Sequence, residues 1–423
     1  MKRILQIPTG VGVVLLCLWG VPLFAEENCE YSDSPSGLIQ CVLNRSPELK
    51  LKEAALNRDR AAENAVGQVL NPELSGRGLA GVDSGSGELS LEQTFELGGK
   101  RSARKARARK AAGIGQLELR VAREETVLET ILLLHHLRQL EARRKLLAET
   151  AATYGRIFLK IRRYPFLSSE QKVSLALYQS ARGETLHKIG QVEQDVAGAR
   201  ARLALLLGTT GVKKIPLPAT KRKWPEIPPA VSENTRTRLA DANQELSRAR
   251  LNLADARAWP DLKIGPAVEF RQSGGSSGIF GNSSGSSETE GGLSFSFTLP
   301  LYHRNSGERE FARRDLERAR IARNLVQTRI ATRRAALAVQ YKSALGKIQQ
   351  TAPPDARHRK HYQMRRLFLG GLVSPALVIE FHRELAEYLS GYQASEKAAL
   401  KSLGAIYLLD GRILEEEYYA RLL

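Results

Sequence analysis

Residues 293–301 read LSFSFTLPL, a run in which apolar and polar side chains alternate. Because successive side chains of a β-strand point to opposite faces, this period of two predicts a strand with one apolar face. A second alternating run covers 262–270, and a Gly/Ser-rich stretch, 273–287, separates the two runs. The sequence therefore predicts a β-hairpin over about 260–301, with the Gly/Ser-rich stretch as its long loop.

The first half of the chain contains a similar hairpin, predicted over about 72–97. Its second strand alternates over 89–97, its first strand is weaker and Gly-rich, and residues 83–87 are expected to form the turn. The predicted strands have roughly nine to ten residues each, the length of a strand that crosses a membrane. The periodicity by itself leaves open a soluble hairpin packed against a helix.

Helical patterns flank both hairpins, so the two halves carry the same order of elements. Proline-free stretches rich in Ala, Leu, Arg and Glu predict long helices with apolar stripes, and a proline-rich linker separates the halves. The predicted division is a first repeat 26–208 with helices at about 45–70, 100–163 and 169–207, a linker 209–230, a second repeat 231–408 with helices at about 232–258, 306–351 and 375–403, and a C-terminal tail 409–423.

The amino terminus has the layout of a secretory signal, predicted over 1–25. Lys2 and Arg3 precede an apolar run, 11–18, that is shorter than the about 20 residues of a transmembrane helix. An exported chain meets an oxidising compartment, where Cys29 and Cys41 can form a disulfide bond. Two free buried thiols are the alternative.

The composition limits the class of function. The 423 residues include 64 Lys+Arg and 45 Asp+Glu, a formal net charge of +19, and the 42% hydrophobic content is too low for a membrane protein built of many helices. Three Cys exclude a disulfide scaffold and leave little material for a thiolate metal site. A dense basic run at 100–110 fits phospholipid headgroups or a solvated helix face, whereas export argues against a nucleic-acid partner.

Local patterns that suggest chemistry do not form a site. Residues 76–81 match the dinucleotide-binding spacing G-x-G-x-x-G, but a turn and a strand follow instead of the helix that would bind a pyrophosphate. His135 and His136 are adjacent on a helix, and His358 and His361 lack further ligands nearby. No Ser-His-Asp or Cys-His constellation can be placed, so we expect no enzyme activity, no cofactor and no metal site.

Strand number constrains how the hairpins can be used. Four strands per chain cannot close a barrel, since small closed barrels need about eight. An open sheet in a bilayer would leave backbone groups unpaired at its edges. If the strands lie in a membrane, several copies of the chain must therefore share them.

The residues that leave each hairpin resemble those of the TolC-type outer-membrane efflux family, and most of all its heavy-metal (cobalt–zinc–cadmium) branch. The similar segments are LEQ at 91–93, ELGGKR at 96–101, LPLY at 299–302, RNSG at 304–307, SPEL at 46–49 and FLGGLVS at 368–374. The resemblance extends over essentially the whole chain after the signal. It implies a mainly helical fold with a small β part, in which a homotrimer shares a 12-stranded outer-membrane β-barrel that continues as a long helical periplasmic tunnel.

The resemblance also implies partners and a transport role. A passive channel of this kind conducts heavy-metal cations outward from an inner-membrane pump of the resistance–nodulation–division (RND) type, through a periplasmic membrane-fusion adaptor. Outer-membrane lipid would surround the barrel. The adaptor contacts the periplasmic tip, where the family carries a glycine three residues before a small residue. Gly371 and Ser374 supply this pair in the second half, whereas Pro165 stands in the glycine position before Ser168 in the first.

Alternation assigns the strand residues to two faces, because lipid contact requires the apolar set outward. The predicted lipid-facing residues are Leu89, Leu91, Phe95, Leu97, Leu262, Ile264, Val268, Phe270, Leu293, Phe295, Phe297 and Leu299. The predicted lumen-facing residues are Glu92, Thr94, Glu96, Lys263, Glu269, Ser294, Ser296 and Thr298.

Two other functions stay open. An outer-membrane channel of type I secretion or multidrug efflux would have the same architecture, because substrate choice lies largely in the pump. A soluble periplasmic coiled-coil scaffold would explain the long helices without any channel.

Overall fold

The computed structural model of the chain describes residues 34–80, 84–210, 214–221, 223–273, 286–302, 304–351 and 374–423. Eight helices and four strands lie in these ranges. They are α1 (Pro35–Arg45), α2 (Pro47–Val66), β1 (Glu73–Ala80), β2 (Ser84–Glu96), α3 (Lys100–Arg162), α4 (Ser169–Leu207), α5 (Thr235–Ala256), β3 (Asp261–Ser273), β4 (Ser286–Phe297), α6 (Ser306–Gln350), α7 (Pro375–Leu409) and α8 (Glu416–Leu422).

The same order of elements occurs twice. In each half a helix leads into a β-hairpin, a long helix leaves the hairpin, and a second long helix returns along it. The predicted fold class, mainly helical with a small β part, is confirmed. The predicted signal 1–25, the tip residue Gly371 and the histidines at 358 and 361 lie outside the described residues.

The first long helix, α3, has 63 residues and no proline, so it extends for about 95 Å. Its buried threonines satisfy their hydroxyl groups locally: Thr130 donates to the carbonyl oxygen of Thr126 at 2.7 Å, and Thr150 donates to that of Leu146 at 2.9 Å. Because these bonds satisfy the hydroxyl groups, threonine can lie on the packed side of the helix without leaving a buried polar group unpaired. The helix ends before Pro165, and α4 then begins with a capping box between Ser168 and Gln171.

The four strands form one antiparallel sheet in the order β1-β2-β3-β4. Strand β2 pairs with β3, with Phe95 opposite Leu262, so the two hairpins join edge to edge. Residues 84–87, which the sequence assigned to a turn, belong to β2 instead. Gly85 lies opposite both Ala80 and Gln272, because ladders on both sides hold this Gly/Ser segment extended although it has no apolar side chain to bury.

The main core lies midway along the molecule, where the helices meet the end of the chain. Val127 and Ile131 of α3, Leu403 of α7 and Leu422 of α8 are all buried there. Residues 409–423, predicted only as a C-terminal tail, therefore include a helix that closes this core. At the other end of the chain, the helix predicted at about 45–70 begins at Pro47, because α1 forms a separate buried helix before it.

The linker between the halves contains no helix or strand in its described part, but it packs against the core. Trp224 and Ile227 contact the central cluster. The hydroxyl of Tyr341 donates to the carbonyl oxygen of Pro225 at 2.6 Å. The linker therefore forms part of the folded unit.

Candidate functional site

One face of the sheet is apolar and open. Cross-strand partners place the predicted lipid-facing strand residues together: Phe95 lies opposite Leu262, and Leu262 lies opposite Phe297. No charged side chain of the described strands lies on this face. Its residues have little to pack against in a single chain, and Phe295 is 73% exposed. An apolar face that is this exposed in a single chain is typically covered by lipid or by another protein surface.

The other face is polar and carries all the charged strand residues. Hydrogen bonds cross it between Ser75 and Ser90 at 2.7 Å and from Lys263 to Glu73 at 2.6 Å. Every predicted lumen-facing residue within the strands has this orientation. This face carries eight acidic and three basic side chains, an excess of five negative charges. The acidic residues are Glu73, Glu88, Glu92, Glu96, Asp261, Glu269, Glu288 and Glu290, and the basic residues are Arg77, Lys263 and Arg271.

The sheet has two free edges. Strands β1 and β4 each pair on one side only, within the part of the chain that the structure describes. The 12 residues of β4 present a row of backbone N–H and C=O groups along the outer edge. Such an edge pairs readily with a strand of another chain.

The sheet joins the helices through two backbone segments that require special conformations. Gly98 and Gly99 adopt φ of 68° and 72° just before α3, and Asn305 adopts φ 54° just before α6. The side-chain Nδ2 of Asn305 donates to the carbonyl oxygen of Ala254 at 2.9 Å and to Oε2 of Glu308 at 2.8 Å. The Gly-Gly of the segment ELGGKR (96–101) and the Asn of the segment RNSG (304–307) therefore turn the chain from strand to helix.

Ion pairs fasten the first of these turns and the start of α3 to the sheet. Lys100 donates to Asp261 at 2.7 Å, which links the start of α3 to the start of β3. Arg104 donates from its two terminal guanidinium nitrogens to the two carboxylate oxygens of Glu96. Glu96, predicted to face the lumen, lies on the polar face but is engaged in this contact. We call residues 97–110, 257–261, 299–302 and 304–314 the collar, because they lie around the end of the sheet from which the helices leave.

The opposite end of the molecule carries the predicted tip residues. Ser168 and Ser374 are the N-cap residues of α4 and α7, so they occupy equivalent positions in the two halves. Pro165 lies in the turn after α3, and the neighbouring Phe166 is 90% exposed. Pro375, at the first turn of α7, has the fixed φ that suits a helix start. The two turns therefore differ in sequence but share a serine cap.

Cys41 and His135 are both buried among the helices. Cys41 is buried in α1 and disulfide-bonded; Cys29 lies outside the described residues, so the pairing of these two stays a prediction. His135 is buried, and its Nε2 lies 2.8 Å from the carbonyl oxygen of Leu422. Burial lowers the pKa of His135 to about 4. No group of three or more His, Cys, Asp or Glu side chains in the described ranges can hold a metal ion.

The sequence did not predict that Glu124 and Asp410, in the middle of the molecule, are buried. Glu124 is fully buried; the hydroxyl of Thr235 donates to it at 2.5 Å, and the guanidinium of Arg236 lies 3.7 Å from its other oxygen. Burial is the largest influence and raises the pKa of this carboxyl. Nothing local distinguishes Glu124 from the exposed Glu125 beside it. Only the packing of α5 against α3 does so.

A second buried pair ties three parts of the chain together. Arg334 of α6 donates to the two carboxylate oxygens of Asp410 at 2.9 and 3.1 Å and to the carbonyl oxygen of Pro228 at 2.6 Å. Asp410 follows α7 directly, and Pro228 lies in the linker. The pair holds the end of α7, the linker and α6 at fixed positions.

None of the described helices contains a stretch long and apolar enough to cross a bilayer. The search of known protein families finds no match to the chain, and the search of curated proteins finds none.

The fold does match solved structures. CusC, studied for its folding and transmembrane channel formation, superposes with a TM-score of 0.67 at 16% identity, over 90% of this chain and 92% of its own. The outer membrane channel CmeC of Campylobacter jejuni gives 0.69 at 12% identity, over 97% and 94%. The outer membrane channel MtrE of Neisseria gonorrhoeae, in its open state, gives 0.69 at 13% identity, over 90% of both chains. At these identities the likeness shows a shared fold.

Proposed function

We propose that the chain is the exit channel of a tripartite efflux system in the bacterial outer membrane, that three copies share one barrel, and that the channel conducts heavy-metal cations passively without enzyme activity. The observation that carries the proposal is the exposed apolar face of a sheet whose two edges are free. Lipid contact accounts for the apolar face. Pairing with further copies accounts for the edges.

The strand count supports a shared barrel. Each copy contributes four strands, which is half of what the smallest closed barrels need. Three copies would close a barrel of 12 strands, and β4 of one copy would pair with β1 of the next. The likeness to solved outer membrane channels, which extends over sheet and helices together, favours this arrangement over an isolated soluble hairpin.

Charge on the polar face favours cations as cargo. Although the whole chain has a net charge of +19, the polar face has five more negative than positive side chains. Glu88, Glu269 and Glu290 lie directly opposite one another across three strands. Like charges in that position destabilise a sheet, so sheet stability does not explain the row. Rings of carboxylates in a pore favour cations.

The helical end fits a protein partner. Phe166 projects from the turn between α3 and α4, close in sequence to the predicted contact residues Pro165 and Ser168. We assign this end to a periplasmic membrane-fusion adaptor and, through it, to an inner-membrane RND-type pump. Cys29 and Cys41 would be bridged in the oxidising periplasm.

Separation of membranes on a density gradient, followed by the mass of the detergent-extracted protein from light scattering, tests the proposal. We expect the protein in the outer-membrane fraction with the mass of three copies. In planar bilayers the purified protein should give a reversal potential that favours cations. A soluble monomer or dimer would overturn the channel and favour a periplasmic scaffold, whereas an anion-selective trimer would overturn only the cation cargo.

A further inference from the structure

The collar exposes the residue types that proteins place at a membrane–water boundary. Trp259 is 61% exposed and Tyr302 is fully exposed at the end of the sheet, and Phe311 is 74% exposed on the second turn of α6. Tryptophan and tyrosine concentrate at the level of the headgroups, because their rings are apolar but carry a polar group. The remaining large exposed apolar residues of the collar are Leu97, Leu299 and Leu301.

The cations of the collar fall into two groups. Lys100 and Arg104 are engaged with Asp261 and Glu96 and hold the sheet to the helices. Lys105, Arg107 and Arg304, in contrast, have no acidic group within 4 Å in the described part of the chain. Ion pairing among the described residues therefore does not account for these three charges.

Helix stability does not explain the basic residues either. The first turn of α3 contains Lys100 and Arg101 and no acidic residue. The N-terminal end of a helix carries a partial positive charge, so cations there are unfavourable by about 0.3–1 kcal/mol each. Asp261 offsets this repulsion at Lys100. A negatively charged ligand outside the chain would offset it at Arg101, for which the described residues provide no acidic partner within 4 Å.

A cleft of about 160 Å³ lies beside the unpaired Arg107, where α3, α5 and α6 meet. Two of its other arginines are neutralised, since Arg250 binds Asp315 at 3.2 Å and Arg257 binds Glu308 at 2.5 Å. Because Arg107 has no such partner, the side chains that line the cleft carry one more positive than negative charge. The exposed ring of Phe311 lies at the same cleft, so a charged site adjoins an apolar surface.

We propose that the collar binds the headgroups of anionic phospholipids, with a phosphate at Arg107 and acyl chains against Phe311, in the leaflet on the helical side of the membrane. The depth agrees with this. Arg107 lies about 10 Å along α3 from Lys100, and the headgroup layer on each side of the hydrocarbon core is about 5–8 Å thick. Long basic side chains cover the difference. The inference rests on the proposed membrane location of the sheet.

Fluorescence of Trp259 tests it. Residues 26–423 contain only one other tryptophan, Trp224, whose buried indole N–H has no partner in the structure, so Trp224→Phe should be tolerated. The protein without its predicted signal, residues 26–423, carries this change and is placed in vesicles that contain brominated phosphatidylglycerol or brominated phosphatidylcholine. We expect Trp259 to be quenched preferentially by phosphatidylglycerol, and the preference to weaken as salt rises from 50 to 500 mM.

Removal of the unpaired charges should abolish the preference. The variant Lys105→Gln, Arg107→Gln and Arg304→Gln should lose about a hundredfold in relative affinity for phosphatidylglycerol, since each cation near a membrane surface contributes about fivefold. Its matched control removes two arginines and one lysine elsewhere on α3: Arg143→Gln, Arg144→Gln and Lys145→Gln. We expect the control to keep the preference.

The outcomes separate this inference from the proposed function. Equal quenching of the Trp224→Phe protein by both lipids, or a preference that salt does not change, would overturn headgroup binding and leave the channel intact. An unchanged preference in the collar variant would overturn the assignment to these side chains. Absence of quenching by either lipid would show that the sheet does not enter the membrane, and both proposals would fail.

Discussion

Gly98 and Gly99 have almost the same backbone conformation but different surroundings. Both have φ near 70°, which disfavours any residue with a Cβ by about 1–2 kcal/mol. A Cβ on Gly98 would lie 2.5 Å from the ring of Trp259, whereas the nearest atom to a Cβ on Gly99 is the hydroxyl oxygen of Ser102 at 3.2 Å. The ring of Trp259 can therefore lie across the turn only because residue 98 is glycine.

We expect Gly98→Ala to destabilise the protein by about 2–5 kcal/mol, because strain from the backbone and the collision with Trp259 add. Gly99→Ala is the matched control and should cost about 1 kcal/mol. Thermal unfolding of the detergent-extracted protein, followed by circular dichroism, measures the difference. Equal melting temperatures for the two variants would contradict the role assigned to Trp259.

His135 is a second residue whose surroundings set its chemistry. The Leu422 carbonyl accepts from Nε2, so the neutral ring carries its proton there, and Nδ1 is buried without a partner. Because the folded pKa is about 4 and the ordinary value is 6.5, the folded state resists protonation. The stability that neutral His135 contributes is therefore complete above pH 6.5 and is lost as the pH falls toward 4.

His135→Gln should remove this pH dependence. Glutamine can still donate to Leu422 but does not titrate, so the fall in unfolding free energy between pH 7 and 4 should be smaller than in the unchanged protein by up to about 3 kcal/mol. The exposed His187 offers a matched substitution outside the core, and His187→Gln should change the unfolding free energy at pH 7 by less than about 0.5 kcal/mol. Chemical denaturation at several pH values measures both. A profile that His135→Gln does not alter would be evidence against a buried neutral ring.

At the scale of elements, the face of the sheet on which a strand residue lies determines the surroundings of its side chain. Phe295 lies opposite Ile264 on the apolar face, and its neighbour Ser296 lies opposite Lys263 on the polar face. The two positions are adjacent in sequence and belong to the same strand. They therefore have the same backbone environment, and only the side-chain direction differs.

Phe295→Arg should prevent assembly in the membrane, since an arginine on a lipid-exposed strand position costs about 2–4 kcal/mol in each copy. Ser296→Arg should assemble and change only conduction. Recovery of the oligomer from the outer-membrane fraction, measured by light scattering, distinguishes the two. If both variants assemble equally well, the assignment of the apolar face to lipid is wrong.

At the scale of the whole molecule, the end of the chain holds the two halves in place. Asp410 is almost completely buried and binds Arg334, which also contacts the linker. Removing one member of a buried pair leaves an uncompensated charge, which costs far more than the loss of an exposed pair. The pair of Asp241 and Arg323, whose side chains are each 38% exposed, is much more open to solvent and offers a comparison within the same chain.

Asp410→Ala should destabilise the protein by about 3 kcal/mol or more, because Arg334 would remain buried without its carboxylate. Asp241→Ala should change the stability by less than about 1 kcal/mol. Unfolding in urea, with helix content as the signal, gives both values. A loss of the same size in both variants would show that Asp410 does not lock the C-terminal segment to α6.

Local patterns in the sequence determined the strands, their apolar and polar faces, and the long helices. Side chains alternate along a strand whatever it pairs with, so the face shared by Phe295 and Phe297 follows from their spacing alone. Proline-free, alanine-rich stretches likewise predict helix without reference to their neighbours. The repeat also places Ser168 and Ser374 at corresponding positions of the two halves, and each is the N-cap residue of its helix.

Only the tertiary structure decided which distant residues meet. The pairing of β2 with β3, the burial of Glu124 beside the exposed Glu125, and the contact of α8 with the core all join segments far apart in the chain. Residues 84–87 became strand because ladders on both sides held them. The physical reason is that helical and strand periods are local properties of the backbone, whereas pairing, burial and charge neutralisation depend on contacts that form only when the whole chain packs.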